Sequence, residues 1–164
     1  MSASELSRIL SEFHKEKLTL RQRHSAVAKQ VADYDANNTY QYVIAREDVH
    51  LQWIEAALGE LGVTPADVAE PSLPARGRKA SVTPLVEEDS READGFVSRW
   101  RARVGDLGNA RHKGMLQVVL GETLEHKRFF DQIVAGREDV LGRRANGPGS
   151  PGTGDGVLPV RWID

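Results

Sequence analysis

Residues 40–61, YQYVIAREDVHLQWIEAALGEL, decide the fold. Tyr40, Val43, Ile44, Leu51, Ile54, Leu58 and Leu61 recur at the three- and four-residue spacing of a helix with one apolar face. Glu47 and His50 fall inside that stripe, and residues three apart share a helix face, with Cβ atoms about 5–6 Å apart. A carboxylate and an imidazole are therefore aimed into a core. E-x-x-H also arises by chance, and a buried Glu–His contact can be purely structural, so the pair gains meaning only if the rest of the chain supplies matching groups.

Upstream, Leu6, Ile9, Leu10, Phe13, Leu20, Val27, Ala28 and Val31 predict an amphipathic helix from about Ser4, its N-cap, to Tyr34. Asp35-Ala36-Asn37-Asn38 is the expected break, and the second helix runs from about Thr39 to Leu61, closed by Gly62. Residues 63–84 hold Pro65, Pro71, Pro74 and Pro84 without a sustained period, which predicts a long connection. Leu85, Phe96, Trp100, Val104 and Leu107 mark a third helix, and a fourth is expected from Ala110 to Val134. Short turns force antiparallel neighbours, whereas a long connection between helices 2 and 3 is the crossover variant of an all-α four-helix bundle. The bundle is expected over residues 1–142 and a flexible Gly/Pro-rich linker over 143–156. An apolar segment, 157–164, follows. There Leu158, Val160, Trp162 and Ile163 are expected to dock on a partner protein or back onto the bundle.

Composition narrows the functions. With 22 basic and 24 acidic residues and a net charge of −2, the chain lacks the electropositive field that nucleic acid binding requires. The absence of cysteine removes disulfides, thiolate catalysis and iron–sulfur clusters. The start Met-Ser-Ala-Ser-Glu has no signal-peptide character, and no apolar run approaches the roughly 20 residues of a membrane span. A soluble cytoplasmic protein is expected, with no membrane or nucleic acid partner.

The chain also repeats itself. Glu16, Leu20, Arg23 and His24 on helix 1 match Glu92, Phe96, Arg99 and Trp100 on helix 3. Val43, Ile44, Glu47 and His50 on helix 2 are set against Val118, Val119, Glu122 and Glu125 on helix 4. The Glu16-to-Glu47 and Glu92-to-Glu122 separations are nearly equal. Each half thus reads as a helical hairpin with a carboxylate on its first helix and a two-ligand motif on its second. Five buried carboxylates and one imidazole would repel strongly without cations, and a mixed oxygen and nitrogen shell suits iron or manganese. Two Fe or Mn ions are the expected cofactors.

Over about Glu5 to Val134 the chain resembles the ferritin-like superfamily of rubrerythrins, bacterioferritins and related diiron carboxylate proteins. The resemblance is most specific in AREDVH, residues 45–50, and GETLEHKRFF, residues 121–130. It implies Glu16 and Glu92 as single-helix metal ligands, Glu47 and Glu122 as bridging carboxylates and His50 as the imidazole ligand. It also implies at least a homodimer. The family carries E-x-x-H in both hairpins; here the second offers Glu122-x-x-Glu125, so either Glu125 replaces the imidazole or His126 serves as the alternative ligand. The function expected is a dimetal oxidoreductase reacting with dioxygen or peroxide, of the ferroxidase, peroxidase or oxidase type.

The alternative is a metal-free or structural-metal bundle acting as an interaction module, its core acids paired with Arg23, Arg99, Arg46 or Lys17. On either reading Tyr40, Tyr42, Trp53 and Trp100 are expected in the core. His14, His24 and His112 are expected at the surface or in packing, and Glu87-Glu88-Asp89 in a solvated first turn.

Overall fold

The computed structural model describes residues 1–77 and 80–143, and among them the regular elements are four helices and no strand. They are α1 (Ala3–Ala28), α2 (Tyr34–Glu60), α3 (Thr83–Gly105) and α4 (Ala110–Val134). Local chemistry sets their ends. Ser2 caps α1 by accepting from the Glu5 amide at 3.2 Å, while the Glu5 carboxylate accepts from the Ser2 amide at 2.8 Å. Asp33 caps α2 and Asn109 caps α4 in the same way. Pro84 stands in the first turn of α3, where its missing N–H costs nothing. Gly62 and Gly136, at φ 71° and 78°, turn the chain out of α2 and α4.

Two boundaries differ from expectation. α1 stops at Ala28, and α2 begins at Tyr34, so Asp35 to Asn38 form its first turn instead of breaking the chain. The amide of Asn37 reaches back to the carbonyls of Ala28 and Val31, at 2.9 and 3.1 Å, so a turn-forming residue ties the turn from inside the helix.

α1 packs on α2 and α3, and α4 packs on α3 and α2, which leaves α1 opposite α4 across the core. Residues 61–77 carry no helix. Part of this segment lies along α1, where Gln22 donates to the Val68 carbonyl at 2.7 Å and Gln30 to that of Pro74 at 3.0 Å. Two apolar clusters fill the bundle. One gathers Phe13, Ile54, Phe96, Trp100 and Leu116; the other gathers Val27, Tyr40, Val43, Val86 and Phe130. Tyr40 and Trp100 are buried as expected, but Tyr42 is half-buried and Trp53 remains 37% exposed, because both sit on the outer edge of the α2–α4 seam. No helix among the described residues is long and apolar enough to cross a membrane. The expected linker and docking segment lie outside the described residues, apart from Arg143.

Candidate functional site

A polar layer separates the two apolar clusters. The stretches of helix between them carry His24 on α1, Glu47 and His50 on α2, Asp89 on α3, and Thr123 and His126 on α4, all buried. Lys17 reaches this layer from α1 and is itself fully buried. Its ammonium lies 3.0 Å from Glu47 Oε2 and donates to Thr123 Oγ1 at 3.0 Å, crossing the bundle from α1 to α4. Thr123 passes its own proton to the Val119 carbonyl at 2.7 Å, so its oxygen is oriented to accept from the lysine. His24 Nδ1 donates to the other Glu47 oxygen in a short hydrogen bond. Burial pushes the Glu47 carboxyl up, but His24 and Lys17 outweigh it and hold the group well below the ordinary carboxylate range.

Glu122 is satisfied separately at the rim. It accepts from Arg46 at 2.8 and 3.2 Å and from His50 Nε2. Burial raises its carboxyl, yet those hydrogen bonds lower it to about 2. Asp89 forms a third unit, accepting from Arg23 at 2.6 Å and from the Tyr40 hydroxyl at 2.5 Å. Burial and then the Asp89 charge raise the Tyr40 phenol far above its usual value, so it stays a donor. Asp89 was expected in a solvated turn; the Arg23 and Tyr40 partners explain its burial.

The structure does not bring the six expected ligands together. Glu16 is on the surface, paired with Arg99 at 3.1 Å and accepting from Trp100 Nε1 at 3.0 Å. Glu92 is exposed, and Glu125 is half-buried. Glu47, His50, Glu122 and the alternative ligand His126 do share the α2–α4 region. Sequence reasoning missed Thr123 as a member of the central group, named Lys17 only as one of four possible partners of the core acids, and placed His24 at the surface or in packing.

One signal could have found them. Many buried positions of the first hairpin recur 76 positions later: Leu10 and Val86, Lys17 and Ala93, Leu20 and Phe96, Val43 and Val119, Ile54 and Phe130 are buried pairs. By the same interval Glu47-x-x-His50 corresponds to Thr123-x-x-His126, not to Glu122-x-x-Glu125. The two histidines of these motifs stack across the α2–α4 seam, centroids 6.2 Å apart and planes 19° apart. Burial lowers the His126 imidazole well below its ordinary value, and Lys17 pushes it the same way. Burial also lowers His50, although the Glu122 hydrogen bond works against it.

The residues assembled here do not fit a pair of metal ions. Only one carboxylate, Glu47, enters the central layer from the E-x-x-H and T-x-x-H motifs, and a lysine ammonium already holds its second oxygen. Three further acids have their own protein cations: Glu122 has Arg46, Asp89 has Arg23 and Glu16 has Arg99. Among the described residues no group of three or more His, Asp and Glu side chains is placed to hold a metal ion. No known family model, curated protein or solved structure matches the chain, so a functional reading stands on its residues alone.

Proposed function

We propose that the chain is a metal-independent helical bundle that acts through its surfaces, as an interaction module, on a ferritin-like plan whose dimetal centre has been replaced by an internal ion network. The observation that carries this reading is the buried Lys17 ammonium bridging Glu47 and Thr123. A dimetal bundle of this class draws one Glu from each of two helices and a Glu-x-x-His pair from each of the other two. At the corresponding places this chain has Lys17, Ala93, Glu47-x-x-His50 and Thr123-x-x-His126. Three of four carboxylates are gone, and the one that remains is neutralised by a lysine. The ion network offsets part of the cost of a polar centre, since a buried carboxylate is tolerated when paired and hydrogen-bonded.

The test is metal titration of the purified, chelator-stripped protein with Fe(II) under anaerobic conditions and with Mn(II). The expected result is no stoichiometric uptake in calorimetry and an unchanged melting temperature at saturating metal. Uptake of two equivalents with a rise in melting temperature, abolished in His50→Ala, overturns the proposal and restores the dimetal oxidoreductase, because a ligand that binds only the folded state must stabilise it.

A further inference from the structure

The outer edge of the α2–α4 seam forms an apolar strip. On α2, Tyr42, Arg46, Val49, Trp53 and Ala56 follow one another at helical spacing on the side toward α4. The antiparallel register of the two helices pairs Tyr42 with Phe129, His50 with Glu122 and Glu60 with Arg111, and so sets Trp53 opposite Val118. These two are large apolar residues that the bundle leaves open, 37% and 48% exposed. Arg46, whose guanidinium lies 6.0 Å from the Trp53 ring, divides them from Tyr42 and Phe129 at the other end. With half-buried Tyr42, Val49 and Phe129 they make one stretch of apolar surface, the kind that a partner covers.

The described chain ends at that other end. Asp139 accepts from the Arg143 amide at 2.9 Å, and the Arg143 guanidinium stands over the Tyr42 ring at 5.9 Å. The residues that follow, 144–156, are rich in glycine and proline, and then comes Val157-Leu158-Pro159-Val160-Arg161-Trp162-Ile163-Asp164. From Tyr42 to Trp53 is about 16 Å along the helix axis at 1.5 Å per residue. A Gly-rich chain of the length of 144–156 would have a root-mean-square reach of roughly 20 Å. That length suffices to reach the level of Trp53 and Val118, and a tether of this kind supplies an effective concentration on the order of millimolar.

We infer that the C-terminal segment 157–164 docks on the α2–α4 seam of its own chain, covering Trp53 and Val118 with Leu158, Val160 and Trp162. The chain thereby carries a built-in occupant for its own apolar strip, and any partner of that strip must displace it. The inference is independent of whether the bundle binds metal.

The experiment uses the full chain labelled with 5-fluorotryptophan, which places one fluorine on each of Trp53, Trp100 and Trp162. Ending the chain at residue 156 is expected to remove the Trp162 resonance, to move that of Trp53 and to leave that of buried Trp100 in place. Val118→Asp in the full chain, a change at an exposed position, is expected to move both the Trp53 and the Trp162 resonances. A Trp53 resonance unmoved by the truncation overturns the inference. So does a shift that fades on dilution together with a halving of the mass by light scattering, because the segment then occupies a second copy.

Discussion

The Lys17 ammonium lies 3.0 Å from the Glu47 carboxylate, with both side chains fully buried between two apolar clusters. A charge in that position costs several kcal/mol in desolvation. The pair is tolerable because each member has a second partner: the lysine has Thr123, and the glutamate has His24. Removing Glu47 leaves a buried ammonium with Thr123 alone, and removing Lys17 leaves one buried carboxylate oxygen without its cation.

Lys17→Met is therefore expected to destabilise the bundle by roughly 3–5 kcal/mol. Lys17→Met combined with Glu47→Gln is expected to be more stable than the lysine variant alone, since the stranded charge goes with its partner. Urea unfolding of the two single variants and the double variant measures the coupling. Additive costs would show that the two residues do not interact as an ion pair.

The residues that matter are separated from the residues that look as if they should matter by one helical step. Glu92→Ala is expected to shift the melting temperature by less than about 2 °C, as exposed substitutions do. Glu47→Ala, at a fully buried site, is expected to lower it by on the order of 10 °C. Thermal unfolding of the two variants side by side decides this, and comparable losses in both would contradict the arrangement.

The helices themselves were legible from apolar periodicity, and the span of α4 matches its expected limits. The hairpin repeat was legible as well. What failed was its register. Glu16 and Glu92 keep the 76-residue interval, but Glu122 lies 75 residues after Glu47, and one residue on an α-helix turns a side chain by about 100°. That step moves the motif from buried Thr123 and His126 to half-buried Glu122 and Glu125. The same step separates exposed Glu92 from buried Ala93 and surface Glu16 from Lys17. From sequence Lys17 is only one of four candidate cations for the core acids, because the burial of its charge depends on partners contributed by α2 and α4, far away along the chain.

Acid should unfold the protein in two stages. Burial holds His50 and His126 below the ordinary histidine value near 6.5, so under that pH the unfolded chain takes up protons that the folded chain does not. Glu47 and Glu122 lie below the ordinary value of 4.5, so their contribution is complete above it and disappears as pH falls toward their folded values. Stability is expected to decline from about pH 6.5 downward and again below about pH 4.5. His126→Phe, whose ring suits the neighbouring Phe129 and Tyr42, removes one titrating site and should flatten the first decline by at most about 1.4 kcal/mol per pH unit. Unfolding free energies between pH 4 and 8 measure the slopes, and an unchanged slope in the variant would rule out this origin.

The 76-residue correspondence makes a constructive prediction. If Lys17, Ala93 and Thr123 stand where a dimetal bundle keeps its carboxylates, then Lys17→Glu, Ala93→Glu and Thr123→Glu together create a Glu from each of α1 and α3 and a Glu-x-x-His pair from each of α2 and α4. Without metal, four carboxylates replace one paired with a lysine, so the apo form of the triple variant is expected to be strongly destabilised or expanded. With Mn(II), Fe(II) or Zn(II) it is expected to take up two equivalents and to gain most of the lost melting temperature, because binding free energy becomes folding free energy. The control shifts the carboxylates by one residue, as Leu18→Glu and Leu124→Glu with the native Asp94 as the third; it should bind no metal. Metal stoichiometry by elemental analysis and circular dichroism with and without metal read the outcome. A folded triple variant that takes up no metal would show that Lys17, Ala93 and Thr123 do not occupy ligand positions.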